Sequence, residues 1–465
     1  MKAINSIRTT TKENGEAIKI TPKAELLKLA LTSMFENTYY ENIDTLVERV
    51  QKYVNKVDAE WLLKLSIFGR NYGLKSINHF LFVLAVDKLT WVKNSRQLVE
   101  NAFKQFVWTP NDIIEILNFY KAYTGKKPNK LLKNAIKKIF ENNVFDIYQI
   151  AKWESRFKNQ KKNGKSFYNL VDVVRLVHPN NNDITNKLVY NKLPSLSELK
   201  TAEAVLSDKD ISGDELISFV KEKIWDKALL MYLNTLLNRG ISIEVLTDEV
   251  NRRQFKWLFP FDFLRALSAI PNDISTGNLR NALVNQASKS LYNLPLSKDV
   301  IVAVDTSGSM TSKLSEKSVI TYRKLASFYG ALINKEFKMP VYAWSTIAEK
   351  VYDLDNDVLE NVKKIENVDV GWGTEIQKLL EEVIENEWEW KEIIIFTDWQ
   401  FAPYNKDLYK KFKRVWYFNL AWYENSIQVK NNIVECSWFS DIMFKVGADL
   451  LNINPILKEI DKINL

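Results

Sequence analysis

Cysteine and histidine are nearly absent from this chain. The one cysteine, Cys436, can neither close an intrachain disulfide nor build a thiolate metal cage, which points to a reducing compartment and to a small buried hydrophobe. The two histidines, His79 and His178, both precede residue 299, so the C-terminal third has no imidazole to act as a general base. With 13 Gly and 11 Pro in 465 residues, collagenous and long disordered stretches are excluded. No run reaches the roughly 18–20 uncharged apolar residues that cross a bilayer, and the N-terminus lacks the apolar core of a signal peptide. A soluble, cytoplasmic protein is expected.

What is present is ordinary globular composition, 46% hydrophobic and 26% charged, in a chain longer than one core sustains, so two or more packed units are expected. The net charge of +8 is unevenly placed. Residues 301–465 hold 20 Lys and Arg against 25 Asp and Glu, leaving 45 against 32 in residues 1–300. The basic N-terminal two-thirds is therefore the better candidate for a polyanion surface, although a solvated Lys-rich helical face would look the same.

From about residue 22 to 290, apolar residues recur at helical spacing, as in Ala24–Phe35, Ala59–Gly69, Ile77–Val86, Asp112–Ala122, Lys130–Glu141 and Trp225–Leu237. Short polar breaks with Gly or Pro separate them, which suits helix pairs stacked as a solenoid. Near Asp299 the pattern changes. Val300–Val304, Met339–Trp344, Glu392–Phe396, Arg414–Leu420 and Ile433–Phe439 read as strands, and Ser315–Lys335, Glu375–Glu387 and Lys406–Lys413 as helices between them. That alternation predicts a parallel sheet covered on both faces. The domains expected are 1–294 and 295–465, with the boundary in Tyr292–Lys298 at Pro295.

The first of those strands runs into Asp305-Thr306-Ser307-Gly308-Ser309, at a carboxyl end where doubly wound sheets bind ligands. Thr374, within Val370-Gly371-Trp372-Gly373-Thr374, and Asp398, after the third strand, occupy comparable loops. Asp305, Ser307, Ser309, Thr374 and Asp398 together offer hard oxygen donors suited to Mg²⁺ first, with Mn²⁺ or Ca²⁺ as alternatives. The Asp-x-Ser-x-Ser motif followed by Thr and Asp resembles the metal-ion-dependent adhesion site of von Willebrand factor A domains, and the resemblance covers residues 299 to about 455. Taken alone, the Ser-rich turn would also read as a helix cap. The resemblance implies a metal with one open coordination position that a partner's acidic group fills, hence a binding device and not an enzyme.

In the helical part, Lys130, Lys133 and Lys137 line one face of a helix whose other face carries Leu132, Ile136, Ile139 and Phe140. Lys152, Arg156, Lys158, Lys161, Lys162 and Lys165 follow, with Trp153 and Phe157 interleaved. Cations for phosphates beside aromatic planes for unpaired bases are what single-stranded nucleic acid requires. Gly73–Leu81, Lys130–Phe140, Tyr148–Arg156, Asp172–Pro179, Ala228–Leu237 and Phe261–Leu267, taken in order, resemble the TROVE module of Ro ribonucleoproteins. A von Willebrand factor A domain after such a module is the Ro arrangement.

That resemblance implies a ring of HEAT-like helical repeats closed by a doubly wound, Rossmann-like von Willebrand factor A domain. It implies small structured RNA of the Y class on a basic outer surface, single-stranded 3′ ends of misfolded or unprocessed RNA in a central hole, and a role in RNA quality control or processing. Lys152, Arg156 and His178 match the family's RNA-contacting Lys, Arg and His, while His178 also reads as a structural residue before a Pro-marked helix end. The Lys-rich stretch 158–165 departs from the family pattern and is expected to add phosphate contacts in a mobile loop or to alter which RNA is held. A ribonuclease or other protein at the metal site, no membrane, and a monomeric state complete the expectation. The alternatives are a metal-dependent protein adaptor that does not bind RNA and, third, a metal-dependent nuclease.

Overall fold

A computed structural model describes residues 7–10, 16–19, 21–32, 43–180, 182–208, 210–256, 258–293, 299–315, 318–387, 391–398, 402, 405–420, 432–437 and 453–465. The expected linker at Pro295 and residues 438–439 of the last expected strand lie outside these.

The chain forms two compact units. One comprises Pro22–Phe35, Val47–Asp208 and Asn454–Leu465. Its helices follow the apolar periodicity, and most pack against the next but one. Ala59–Asn71 meets Ser76–Lys88 and Ser95–Phe106, Ser95–Phe106 meets Lys130–Glu141, and Lys130–Glu141 meets Leu170–Val177. This double layer is what stacked helix pairs produce. Where the first two of these helices cross, Gly69 is required, because a Cβ there would sit 2.3 Å from Asn78 Oδ1. The Asn78 amide in turn donates to the Ala30 carbonyl at 2.8 Å, inside the core. Phe82, Phe103 and Phe106 fill the layer between, with Phe82 and Phe106 rings 4.8 Å apart.

The C-terminal helix Ile453–Asp461 belongs to this same unit from Asn454 onward. Lys64 Nζ donates to the Asp461 carbonyl at 3.3 Å and Gln105 Nε2 to the Asn464 carbonyl at 2.8 Å. Its sequence is contiguous with the α/β region, so the pattern alone assigned it there.

The second unit comprises Met1–Thr21, Glu36–Leu46 and Lys209–Ile453. It contains an antiparallel hairpin of β1 (Ile7–Thr10) and β2 (Glu16–Lys19). It also holds a six-stranded sheet of β3 (Val300–Asp305), β4 (Val341–Trp344), β5 (Ala348–Lys350), β6 (Glu392–Thr397), β7 (Arg414–Asn419) and β8 (Ile433–Ser437). The order is β5-β4-β3-β6-β7-β8, parallel except for the short edge strand β5, which has too few residues to show a pattern in the sequence. Every residue of β3 and β6 is buried, which is why Val300–Val304 and Ile393–Phe396 read as unbroken apolar runs. Ile301, Ala303, Ile393 and Ile395 meet the helix Ile376–Asn386 on one face. On the other, Gly330 of the helix Tyr322–Phe337 approaches Val304, and Tyr329 stacks on Phe396 at 5.5 Å.

Helices change to strands between Asn293 and Val300, but the division into compact units falls elsewhere, at Asp208. Pro260–Ala269 and Gly277–Ser290 touch the sheet-covering helix Tyr322–Phe337, so the last helical pairs share a core with the α/β part.

Candidate functional site

In the α/β part the chain enters at β3, adds β4 on one side and β6 on the other, so the crevice between β3 and β6 is the topological switch point. Asp305 ends β3 and Asp398 follows β6, with side chains 0% and 1% exposed. The Ser307 N–H donates to Asp305 Oδ1 at 2.8 Å, and Ser307 Oγ lies 3.4 Å from Ser309 Oγ. The tight loop thereby turns three donors of the motif into one cradle.

Thr374 lies on a loop that approaches the first one and is held from both sides. Thr346 Oγ1 accepts from the Trp372 and Gly373 N–H groups at 3.3 and 2.9 Å, and Ser345 Oγ donates to the Gly373 carbonyl at 2.6 Å. Gly371, at φ +83°, permits this turn, and a Cβ there would meet Thr346 Oγ1 at 2.6 Å. Trp372 is swung over the first loop, since a Cβ on Gly308 would lie 3.3 Å from its ring. The Thr374 carbonyl accepts from Ala402 N at 3.1 Å, tying this loop to the segment beyond Asp398. Trp372, 74% exposed, and Ile347, 46% exposed, leave an apolar rim.

Three contributors carry no signature in the sequence. Thr397 Oγ1 donates to Asp305 Oδ2 at 2.6 Å, Arg323 donates to the Thr306 and Ser307 carbonyls, and Thr346 pins the glycine turn. Burial pushes the Asp305 carboxyl up to about 6, against the lowering effect of hydrogen bonds from Thr397 and Ser307. Buried carboxylates with hydroxyls on adjacent loops are a donor set that fits a hard divalent cation held through few charges. Among the described residues no group of three His, Cys, Asp or Glu forms an alternative metal cluster.

In the helical unit, Lys130–Glu141 is started by Asn129, whose side chain accepts from Leu132 N at 2.9 Å. Its Leu132, Ile136, Ile139 and Phe140 are buried, while Lys130 is exposed and Lys133 and Lys137 are half-buried. Ile147–Lys162 begins in a capping box between Asp146 and Gln149. It presents Lys152 half-buried and Arg156, Lys158, Lys161 and Lys162 exposed. The stretch 158–165 is therefore no mobile loop for the most part. It extends the helix by more than a turn and stops in a Schellman motif, with Gly164 N and Lys165 N donating to the Lys161 and Gln160 carbonyls at 3.0 and 2.8 Å.

Two links hold Leu170–Val177 against that helix. Buried Glu154 accepts from Leu170 N at 2.8 Å, and Lys161 pairs with Asp172 at 2.5 Å. His178, exposed, caps the second helix with φ +47°, a conformation a side chain seldom adopts. Asn180 N donates to Glu141 at 3.1 Å, so His178 lies at the C-terminal end of Lys130–Glu141. Lys130 sits at the other end, about 16 Å away along the helix axis. The expected cations thus fall into two groups. Lys137 pairs with Glu141 at the His178 end, whereas Lys130 follows Asn129, which donates to Thr90.

One expectation is overturned here. Phe157 is 1% exposed and stacks on half-buried Trp153 at 5.7 Å, so the pair is packing and offers no platform for two bases. Arg156 lies over the Trp153 ring at 5.0 Å. Exposed rings occur instead at Tyr148 and Phe167, 38% and 55% exposed.

The crystal structure of the Ro (RSR) protein of Deinococcus radiodurans matches this chain with a TM-score of 0.62. The match covers 92% of this chain and all of that one, at 14% identity. The chain has the Ro fold. No family model matches its sequence, and neither does any curated protein. Among the described residues no helix is long and apolar enough to cross a membrane.

Proposed function

We propose that this chain is a Ro-like RNA-binding protein that acts in RNA quality control or processing. It holds small structured RNA of the Y type on its basic helical surface and engages single-stranded 3′ ends of misfolded or unprocessed RNA. The observation that carries this reading is the Ro fold with Lys152, Arg156 and His178 on two helices locked together by Glu154 and Lys161. Ion pairs of Lys152 with Glu203 at 3.2 Å and of Lys161 with Asp172 are partly exposed. Such pairs contribute roughly 0–1 kcal/mol, so a phosphate can displace either carboxylate.

The test is filter binding of a structured RNA with a single-stranded 3′ tail, and of the same RNA blunted, at two salt concentrations. Binding that depends on the tail and weakens with salt is expected, with a slope of about −0.7 per phosphate contact on the single strand. Charge reversal at Lys152 and Arg156 should abolish capture; unchanged binding of that variant would overturn the reading.

The buried carboxylates favour a companion role. In it Asp305, Ser307, Ser309, Thr374 and Asp398 hold a divalent ion, Mg²⁺ first. When bound, such an ion would supply a positive centre that attracts a partner's carboxylate. Trp372 and Ile347 then line the approach for an acidic partner such as a ribonuclease. We assign no catalysis to this chain, because the site lacks histidine as a proton acceptor. A metal-dependent adaptor without RNA binding is the alternative, supported if partner capture needs the divalent ion and survives charge reversal at Lys152 and Arg156.

A further inference from the structure

Trp91 is 92% exposed and its neighbour Val92 53%. An indole left in water forgoes one of the largest burial gains any side chain offers, so such a residue calls for an explanation. The loop that carries it is not slack. Leu89 is buried, Ser95 Oγ donates to the Leu89 and Val92 carbonyls at 3.1 and 2.8 Å, and Asn94 takes φ +62° to close the turn. Lys88 fastens the preceding helix end by donating to the Val54 and Val57 carbonyls at 2.9 and 2.7 Å. The backbone is fixed and the ring faces outward.

A second segment is tied to this loop. Asn129 Nδ2 donates to Thr90 Oγ1 at 2.7 Å, bringing the start of Lys130–Glu141 beside it. Lys93, Lys126, Lys127 and Lys130 are all exposed and form no ion pair among the described residues. Neither 88–97 nor 126–138 contains an acidic residue. The apolar part is only Trp91 and Val92, too small for a stable protein interface of about 800 Å² per partner, and cations surround it.

We infer that Trp91 is a stacking platform for an unpaired RNA base, with Lys93, Lys126, Lys127 and Lys130 neutralising the flanking phosphates. This site supplies the exposed ring that Trp153 and Phe157 do not, at the end of the lysine helix remote from His178. The inference rests on the RNA-binding reading above.

The test uses the full chain and an unstructured single-stranded RNA. Trp91→Ala should weaken binding on the order of 10- to 100-fold while leaving the salt slope unchanged, because stacking releases no counterions. Trp91→Phe should retain most of the affinity. Lys127→Glu with Lys130→Glu should instead reduce the slope. Unaltered thermal stability of Trp91→Ala shows that the loss is not unfolding. If Trp91→Ala binds like wild type while charge reversal at Lys152 and Arg156 abolishes binding, the platform is wrong and the RNA reading stands. If wild type binds no RNA, both fail. Wild type that sediments with anionic phospholipid vesicles through Trp91, without binding RNA, would overturn the inference in favour of a membrane surface.

Discussion

Asp112 in the helical unit and Asp305 in the α/β unit are both 0% exposed, yet their carboxyls are pushed in opposite directions. Burial favours the neutral acid in both. At Asp112 it is outweighed by the hydrogen bond from His79 at 3.0 Å and the charge of Arg70 at 3.1 Å, which hold the carboxyl well below the usual range. The N–H groups of Trp108 and Thr109, both at 2.9 Å, complete its shell. Asp305 is held by the Thr397 hydroxyl and by Ser307, while the Arg323 guanidinium donates to the Thr306 and Ser307 carbonyls and acts on Asp305 only through its charge. Among the described residues no Lys or Arg pairs with it directly. One buried aspartate is thus a finished structural joint, and the other ends a sheet strand with no cation paired to it directly among the described residues.

The largest test of this contrast is Arg70→Ala. It strands Asp112 as a buried charge and should cost about 3–5 kcal/mol in urea unfolding. The opposite sign is expected at the other site. In metal-free protein near neutral pH, Asp305→Asn removes a poorly compensated charge and should stabilise by about 1–3 kcal/mol in thermal melts. It should also abolish any stabilisation that excess Mg²⁺ gives wild type. Destabilisation by Asp305→Asn without metal would erase the contrast.

The pH dependence follows from the same two groups. Asp305 has a raised folded pKa, so its contribution is complete below about 4 and is lost as pH rises through about 6 in metal-free protein. Asp112 has a depressed one, so its contribution is present above about 4 and disappears on further acidification. Denaturant titrations across this range, with chelator and with Mg²⁺, separate them, and Mg²⁺ should flatten only the first. The smallest effect belongs to the surface. Lys161→Ala should change stability by no more than about 1 kcal/mol, since the pair with Asp172 is partly exposed. Its consequence should appear in RNA binding, as a salt slope smaller by about 0.7.

Much of the fold was legible because the burial patterns of helices and parallel strands differ in period. Lys130–Glu141 was placed to the residue, and the expected strands agree with β3, β4, β6, β7 and β8 to within about two residues at each end. The motif residues at Asp305, Ser307 and Ser309 were legible for a related reason, since contiguous residues on one tight loop are neighbours whatever the rest of the chain does. Thr397 and Arg323 were not, because their contacts with that loop arise from strand register and helix packing. Phe157 was misread for the same cause: a ring among lysines looks accessible in sequence, and only the packing of Ile147–Lys162 turned it inward. Trp91 shows the converse, an aromatic next to apolar Leu89 and Val92 that packing left in water.

The sequence by itself determined the local outcomes: which segments coil, which extend, where Asn129 and Asp146 start helices, and which loop gathers oxygen donors. These rest on contacts a few residues apart, which neighbouring side chains dictate. Only the tertiary structure decided that the last helix joins the first ones, that the helices after Asp208 fall in one compact unit with the sheet, and that two equally buried aspartates differ in charge compensation. Those depend on contacts between residues tens to hundreds of positions apart, and their energies are fixed by burial and partner geometry that no local pattern encodes.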